Sequence, residues 1–384
     1  MFAKIVSSFI LIVQALTSSF LQGNYSLTDI NNQINAYKNK DEIINTKYVG
    51  KVSEYNWSEK DEFDINDTVI VKKEKNKDFV ILSISDIHFA DFDIVRNFQT
   101  CLAVRTIKNL VKNVKPDLIF VLGDNVCTES TVLSVQRFTD LMDSFNIPWA
   151  PVFGNHDDEG NCDLNYLADV MMTSPNCLLQ KGDPEMGVGN YIINIAEETD
   201  GDKLNIVESF IMMYTRRSSV NEKQISWYKW VTDSINAYTN FGSEISLVEH
   251  IPIPEFDYAI QNSKVCEKTG KILYDENAYG QYHETVACER DISGNPIQRG
   301  FFDVIKESKT TKYVFVGHDH LNDYSVLYNG VRLTYNTKVG FSSGANFGQD
   351  GGTVITLNEN GVKSITQKSH MLLYDFDSYT INTQ

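Results

Sequence analysis

The chain has 384 residues, 42% of them hydrophobic, and carries 51 acidic against 34 basic side chains, a formal net charge of -17. That length and apolar content can bury a substantial core without a metal or disulfide staple. The acidic balance repels nucleic acid and anionic lipid, which argues against DNA-binding or membrane-surface roles, although bound metal ions can invert the local charge toward a phosphorylated substrate.

Residues 1–21 read as a secretory signal: Lys4 supplies the basic start, residues 5–16 are apolar apart from Ser7, Ser8 and Gln14, and Thr17, Ser18 and Ser19 follow. The apolar run is shorter than the ~20 residues that span a bilayer, and no later stretch spans. The expected destination is the exterior or a vesicular, lysosome-like lumen. Sequons at Asn24, Asn56 and Asn66 fit an exported glycoprotein. Residues 22–75 are polar and charge-mixed, expected as a lead-in with one or two strands, and residues 76–384 as the main domain.

Residues 80–85 form a short apolar run suited to a buried strand. Cys101, Val104, Ile107, Val111 and Val114 then recur at helical steps, and Pro116 ends that helix. Residues 117–122 predict a second strand, 132–145 a second helix and 148–153 a third strand. This alternation implies a parallel sheet with right-handed crossovers. Further strands are expected at 191–195, 206–214, 245–249 and 313–316, with a meander over 324–357 and a helix over 221–237. Six cysteines in an exported chain allow three disulfides. Local spacing suggests Cys162 with Cys177 and Cys266 with Cys288, and the lack of a CxxC pair argues against a thiolate zinc site.

The chemistry-bearing residues fall at the ends of these strands. They are Asp86-Ile87-His88, Gly123-Asp124-Asn125, Gly154-Asn155-His156-Asp157-Asp158, His250 and Gly317-His318-Asp319-His320. In open α/β sheets such ends converge on one crevice. Carboxylates and neutral imidazoles suit a pair of divalent cations, whose mutual repulsion favours a bridging carboxylate. His318 and His320 are two residues apart, so both can face the metals only if the chain turns after Gly317. His283 and His370 lie outside the pattern and read as ordinary surface or loop residues.

The series SDIH, GDN, GNHD, EH and GHDH, over residues 78–360, resembles the calcineurin-like metallophosphoesterases. Residues 152–157, 250–255 and 317–323 look most like the purple-acid-phosphatase-like subgroup of plants and fungi. The resemblance implies a four-layer α/β/β/α sandwich. Asp86, His88 and His320 would hold one metal; Asn155, His250 and His318 would hold the other, with Asp124 bridging. His156, oriented by Asp157, would serve as general acid, with a hydroxide held by two Fe, Zn or Mn ions as nucleophile. The implied function is hydrolysis of small phosphate monoesters. Phosphodiester hydrolysis, on nucleotides or phospholipid headgroups, and metal binding without catalysis remain the alternatives. Two departures bear on this. Cys127 stands where true purple acid phosphatases carry the iron-binding Tyr, which argues against a ferric-tyrosinate centre. The Arg of the protein-phosphatase GDxxDRG motif is replaced in the Asp124-Asn125-Val126-Cys127-Thr128 stretch.

Overall fold

The computed structural model describes residues 47–52, 63–90, 94–127, 132–197, 204–215, 219–261, 263–265, 270–272, 277–297, 299–340, 350–371 and 374–384. The proposed signal, the sequons at Asn24 and Asn56, and Cys266 lie outside them. Asn66 is described and exposed, in a single 3-10 turn.

Among the described residues, fourteen strands form two sheets. The first is six-stranded. Parallel strands β2 (Phe79–Ile84), β3 (Leu118–Leu122) and β4 (Trp149–Val152) lie beside antiparallel β12 (Gly351–Asn358), β13 (Gly361–Met371) and β14 (Tyr374–Asn382), in the order β14-β13-β12-β2-β3-β4. The second sheet has eight strands. They are β1 (Val69–Lys73), β5 (Tyr191–Glu197), β6 (Asn205–Met212), β7 (Glu244–Val248), β8 (Ala278–Tyr279), β9 (Thr311–Val316), β10 (Ser325–Tyr328) and β11 (Val331–Tyr335). Their order is β1-β5-β6-β7-β9-β11-β10-β8.

Helices α1 (Ile94–Val114), α2 (Val132–Asp143) and α3 (Leu164–Met171) accompany the first sheet. Helices α4 (Glu222–Thr239), α5 (Glu255–Gln261) and α6 (Phe301–Glu307) accompany the second. The central strands are buried on both faces, so their sequences are near-continuous apolar runs rather than alternating ones. The pleat still sorts the side chains. Phe210 and Met212 join the core shared with the six-stranded sheet, whereas Ile211 and Met213 join the core under α4 with Trp227 and Val231. Phe120 and Phe210 meet edge-on between the sheets at 4.9 Å. The result is the expected α/β/β/α sandwich.

Several expectations change. The lead-in carries a strand as expected, but that strand joins the eight-stranded sheet: β1 pairs parallel with β5, and Lys73 is buried in an ion pair with Glu197 at 2.5 Å. The expected parallel arrangement of β2, β3 and β4 is present, and antiparallel β12, β13 and β14 extend that sheet into a mixed one. The expected meander divides, β10 and β11 joining the eight-stranded sheet and β12 crossing to the other. Cys162 and Cys177 are unbridged thiols. Their backbones bridge to Tyr48 and Trp149 respectively, and the Cys162 thiol donates to Asn161 Oδ1. Cys288 is also an unbridged thiol. His370 is buried in β13 rather than at the surface, whereas His283 sits in a loop against Gln281.

Candidate metal centre

The carboxyl ends of β2, β3, β4, β7 and β9 meet at one edge of the sandwich, and polar backbone links between the loops hold them there. Asp86 N donates to Gly123 O at 3.1 Å, and His88 N donates to Asp124 O at 2.9 Å. Gly317 N donates to His250 O at 3.0 Å. His318 N donates to Asp86 Oδ1 at 3.1 Å and so ties one sheet to the other. Asp86, His88, Asp124 and His318 all have positive φ, between 48° and 76°. Four left-handed non-glycine residues in one crevice represent stored backbone strain, which persists only where the surroundings over-determine it.

This geometry makes two overlapping groups. Asp86, His88, Asp124 and His320 can present one ligand atom each within 4.8 Å of one another; so can Asp124, His250 and His318, with Asp124 common to both. His88 Nε2 lies 3.2 Å from His320 Nε2, and His320 Nε2 lies 3.5 Å from Asp86 Oδ1. His250 Nε2 lies 3.3 Å from Asp124 Oδ2. The left-handed turn at His318 lets the two imidazoles of the GHDH segment enter different groups.

The donor set fits cations. Asp124 Oδ2, His250 Nε2 and Asn155 Oδ1 are buried and make no hydrogen bond. These three atoms belong to three of the residues the resemblance assigns to metals, and uncompensated burial of such groups is costly. His250 Nδ1 donates to Leu122 O at 2.7 Å, which fixes the tautomer with the Nε2 lone pair turned to Asp124. Burial pushes the His318 imidazole down to about 4, with the nearby His250 adding to the effect, and burial also holds His88 well below its ordinary value. Neutral imidazoles are what metal binding requires. Burial opposes charge on His250 as well, but Asp124 and Asp86 push it up to about 10, so that without a cation a proton occupies that position.

The orienting partner of His156 differs from expectation. His156 Nδ1 lies 2.6 Å from Glu159 Oε2, while its backbone N–H donates to Asp124 Oδ1 at 2.9 Å. Asp157 is buried below the loop, where its carboxylate accepts from Gly154 N at 2.7 Å, Val126 N at 2.9 Å and Asn125 Nδ2 at 3.0 Å. Burial and the charge of Asp124 push the Asp157 carboxyl up to about 7 against those donors. Asp157 therefore clamps the β3 and β4 loops together and does not touch the His156 ring. Glu159, three residues beyond His156, had a local signal in the spacing.

Two further residues support the crevice from outside the ligand groups. Lys338 is buried and its Nζ donates to Asp86 O at 2.5 Å. Asp319 points away from the crevice, accepting from Tyr335 Oη and from Ala287 N at 3.1 Å, and so braces the turn between His318 and His320. Cys127 is buried directly after the Phe89–Val126 bridge.

Comparison with known proteins places these observations in a wider set. The sequence profile described as "Calcineurin-like phosphoesterase" matches residues 79–322. Two Arabidopsis thaliana proteins named probable inactive purple acid phosphatase 14 and 28 are 29% and 26% identical. The aligned regions cover 68% of this chain in both cases, and 71% and 70% of those proteins. Phosphatase DCR2 of Saccharomyces cerevisiae is 26% identical over 277 residues, 64% of this chain and 44% of that protein.

Proposed function

This chain belongs to the calcineurin-like phosphoesterase family, and from that membership we propose that it hydrolyses small phosphate monoesters at a dinuclear centre. Asp86, His88 and His320 would hold one cation and Asn155, His250 and His318 the other, with Asp124 shared. The carrying observation is that Asp124 belongs to both ligand groups, while its own Oδ2 and the buried His250 Nε2 and Asn155 Oδ1 lack hydrogen-bond partners.

Two such cations, when bound, acidify water and neutralise phosphate oxygens. The remaining work falls to the chain. His156 stands on the rim of the crevice, its ring 5.2 Å from that of His88. Glu159 takes Nδ1, which leaves Nε2 to pass a proton to the departing alcohol oxygen. No serine or cysteine nucleophile is needed, because water activated at such a centre would attack phosphorus directly and leave no covalent intermediate on the protein. A secreted or lumenal location, proposed on residues 1–21, would put this chemistry on extracellular or vesicular esters.

The names of the Arabidopsis relatives favour a second reading, a protein that binds metal without turnover. A chromogenic monoester and a matching diester, each scanned across pH and metal supplements, distinguish the possibilities. Metal-dependent monoester turnover that vanishes together with bound metal in Asp124→Ala is the expected result. His156→Ala should keep the metal while turnover falls ~10²–10⁴-fold. Turnover of the diester alone would replace the monoester assignment. Two bound metals with no turnover on either ester would establish the second reading.

A further inference from the structure

We propose that residues 47–52 act as a positioning strap for the loop that carries His156, setting from the loop's far end how Glu159 and His156 meet. The inference rests on the reading of His156 as general acid. The loop leaves β4 and enters α3, and its near end is held by the Asp157 clamp. Its far end is held by the strap. Tyr48 N donates to Asn161 O at 2.7 Å, Asp163 N donates to Tyr48 O at 2.9 Å, and Gly50 N donates to Asp163 Oδ1 at 2.9 Å. Glu159 stands between these two anchors, with Gly160 alone separating it from Asn161.

The strap is fastened rather than buried. Val49 and Val52 leave 67% and 63% of their surface exposed, so apolar burial does little to hold the segment. Tyr48 packs on Tyr166 of α3, with ring centroids 5.2 Å apart. Lys51 N donates to Asp169 Oδ2 at 2.8 Å. The buried Lys181 Nζ joins the same two residues by donating to Lys51 O at 2.5 Å and to Asp169 Oδ1 at 2.7 Å. At Gly50 the strap lies against the α3 backbone, where a Cβ would come 2.2 Å from Asn165 C and Tyr166 N. Only glycine permits that approach. Asp163 Oδ1, which receives Gly50 N, also caps α3 by accepting from Tyr166 N at 2.8 Å. One carboxylate oxygen therefore ties strap, loop and helix together.

Such fastening matters because proton transfer is sensitive to position. A displacement of about 1 Å can cost about a hundredfold in rate. The Glu159 carboxylate meets His156 Nδ1 at 2.6 Å, and His156 N donates to Asp124 Oδ1 at 2.9 Å. Loosening the far anchor lets Glu159 move while the Asp157 clamp and the candidate ligand residues stay in place, so metal binding and proton donation should separate. A leaving group that departs unaided needs little protonation, whereas an alkoxide needs it most. The strap should therefore matter for alkyl phosphates and hardly at all for activated aryl phosphates.

Two variants of the full, metal-loaded chain test this, with thermal melts as the check on folding. Gly50→Val lifts the strap off α3, and Lys181→Met releases its outer end. In Gly50→Val, kcat on ethyl phosphate should fall about tenfold or more, while kcat on 4-nitrophenyl phosphate stays within about twofold and bound metal is unchanged. Lys181→Met should show the same selectivity to a smaller degree, and it carries the test if Gly50→Val does not fold. Added to His156→Ala, either change should cost nothing further on ethyl phosphate. Residue-resolved amide exchange supplies a readout independent of turnover: the His156 and Glu159 amides should exchange faster in the variants than in the wild type, with β3 unchanged. Equal losses on both esters, or no loss on either, would overturn the proposal. If the wild type hydrolyses neither ester, the phosphatase reading fails on its own, and the strap then stands or falls on whether exchange at His156 and Glu159 rises.

Discussion

Asp157 and Glu159 are both acidic, two residues apart, and do different things. Asp157 collects three donors below the loop, and Glu159 takes His156 Nδ1 at its rim. Substitution should separate them. Glu159→Gln keeps a hydrogen-bonding group of the same shape, so the fold and bound metal should survive while kcat falls by about tenfold, the cost of a lost charge-assisted bond. Asp157→Asn turns acceptor lone pairs into donors against two backbone N–H groups. It should lower the melting temperature and cost about 1–3 kcal/mol of stability. Steady-state kinetics, metal analysis and thermal melts on both variants check this. Equal kcat in Glu159→Gln and wild type would remove Glu159 from proton transfer.

The same scale explains one glycine. A Cβ on Gly154 would lie 2.2 Å from Asp124 Oδ1 and 2.7 Å from His250 Nε2, atoms of the shared carboxylate and its neighbour. Gly154→Ala must therefore displace one of these two proposed ligand atoms even if the chain folds. The expected outcome is a folded protein with less than its full complement of metal, read by elemental analysis beside circular dichroism. Full metal content would mean that the loop yields without moving Asp124.

At the level of elements, the strands hold the candidate ligand residues and the helices hold the strands. Helix α4 opens with a reciprocal cap. Asn221 accepts from Gln224 N at 2.9 Å, and the Gln224 side chain accepts from Asn221 N at 2.9 Å. The Gln224 amide also reaches Asn190 and Tyr214 O, so the cap anchors the helix to the loops around β5 and β6. Asn221→Ala should cost about 1 kcal/mol. Urea unfolding should record this as a lower midpoint with an unchanged slope, and catalysis should be untouched because the cap lies outside the ligand groups. A changed slope would instead indicate a change in the compactness of one state.

At the scale of the whole molecule, the core between the two sheets holds a poorly compensated acid. Glu208 on β6 is fully buried. Its Oε1 accepts from Ser246 Oγ at 2.7 Å, its Oε2 has no partner among the described residues, and Glu244 stands opposite on β7. Burial raises the Glu208 carboxyl well above its ordinary value of 4.5, Ser246 opposes this, and Glu244 adds to it. Because the folded value exceeds the unfolded one, the folded state favours the protonated form. That contribution is complete below the unfolded value and is lost as pH rises from there toward the folded value. Glu208→Gln should therefore melt higher than wild type near about pH 7.5, by about 1–3 kcal/mol in stability, and the difference should fade near about pH 4. An offset identical at both pH values would mean that titration of Glu208 plays no part.

Much of this was legible in the sequence because strand ends are local. A short apolar run followed by Asp-x-His, Gly-Asp or Gly-His-Asp-His specifies both a buried strand and what it carries, so β2, β3, β4, β7 and β9 and their ligand-type residues could be read in order. The sheets' composition was less legible. A run buried on both faces looks the same whether its neighbour is parallel or antiparallel, and strand pairing over long separations leaves no periodic trace. Hence β12 could not be assigned to its sheet, nor β1 recognised as part of the domain.

The sequence by itself determined the α/β sandwich, the family and the seven ligand-type residues, because each depends on residues adjacent in the chain. Tertiary structure alone decided that Glu159 and not Asp157 holds the His156 ring, and that Lys338 reaches the Asp86 carbonyl. Each of those depends on which side of a turn a side chain takes. That choice follows from the packing of distant segments rather than from the residues on either side.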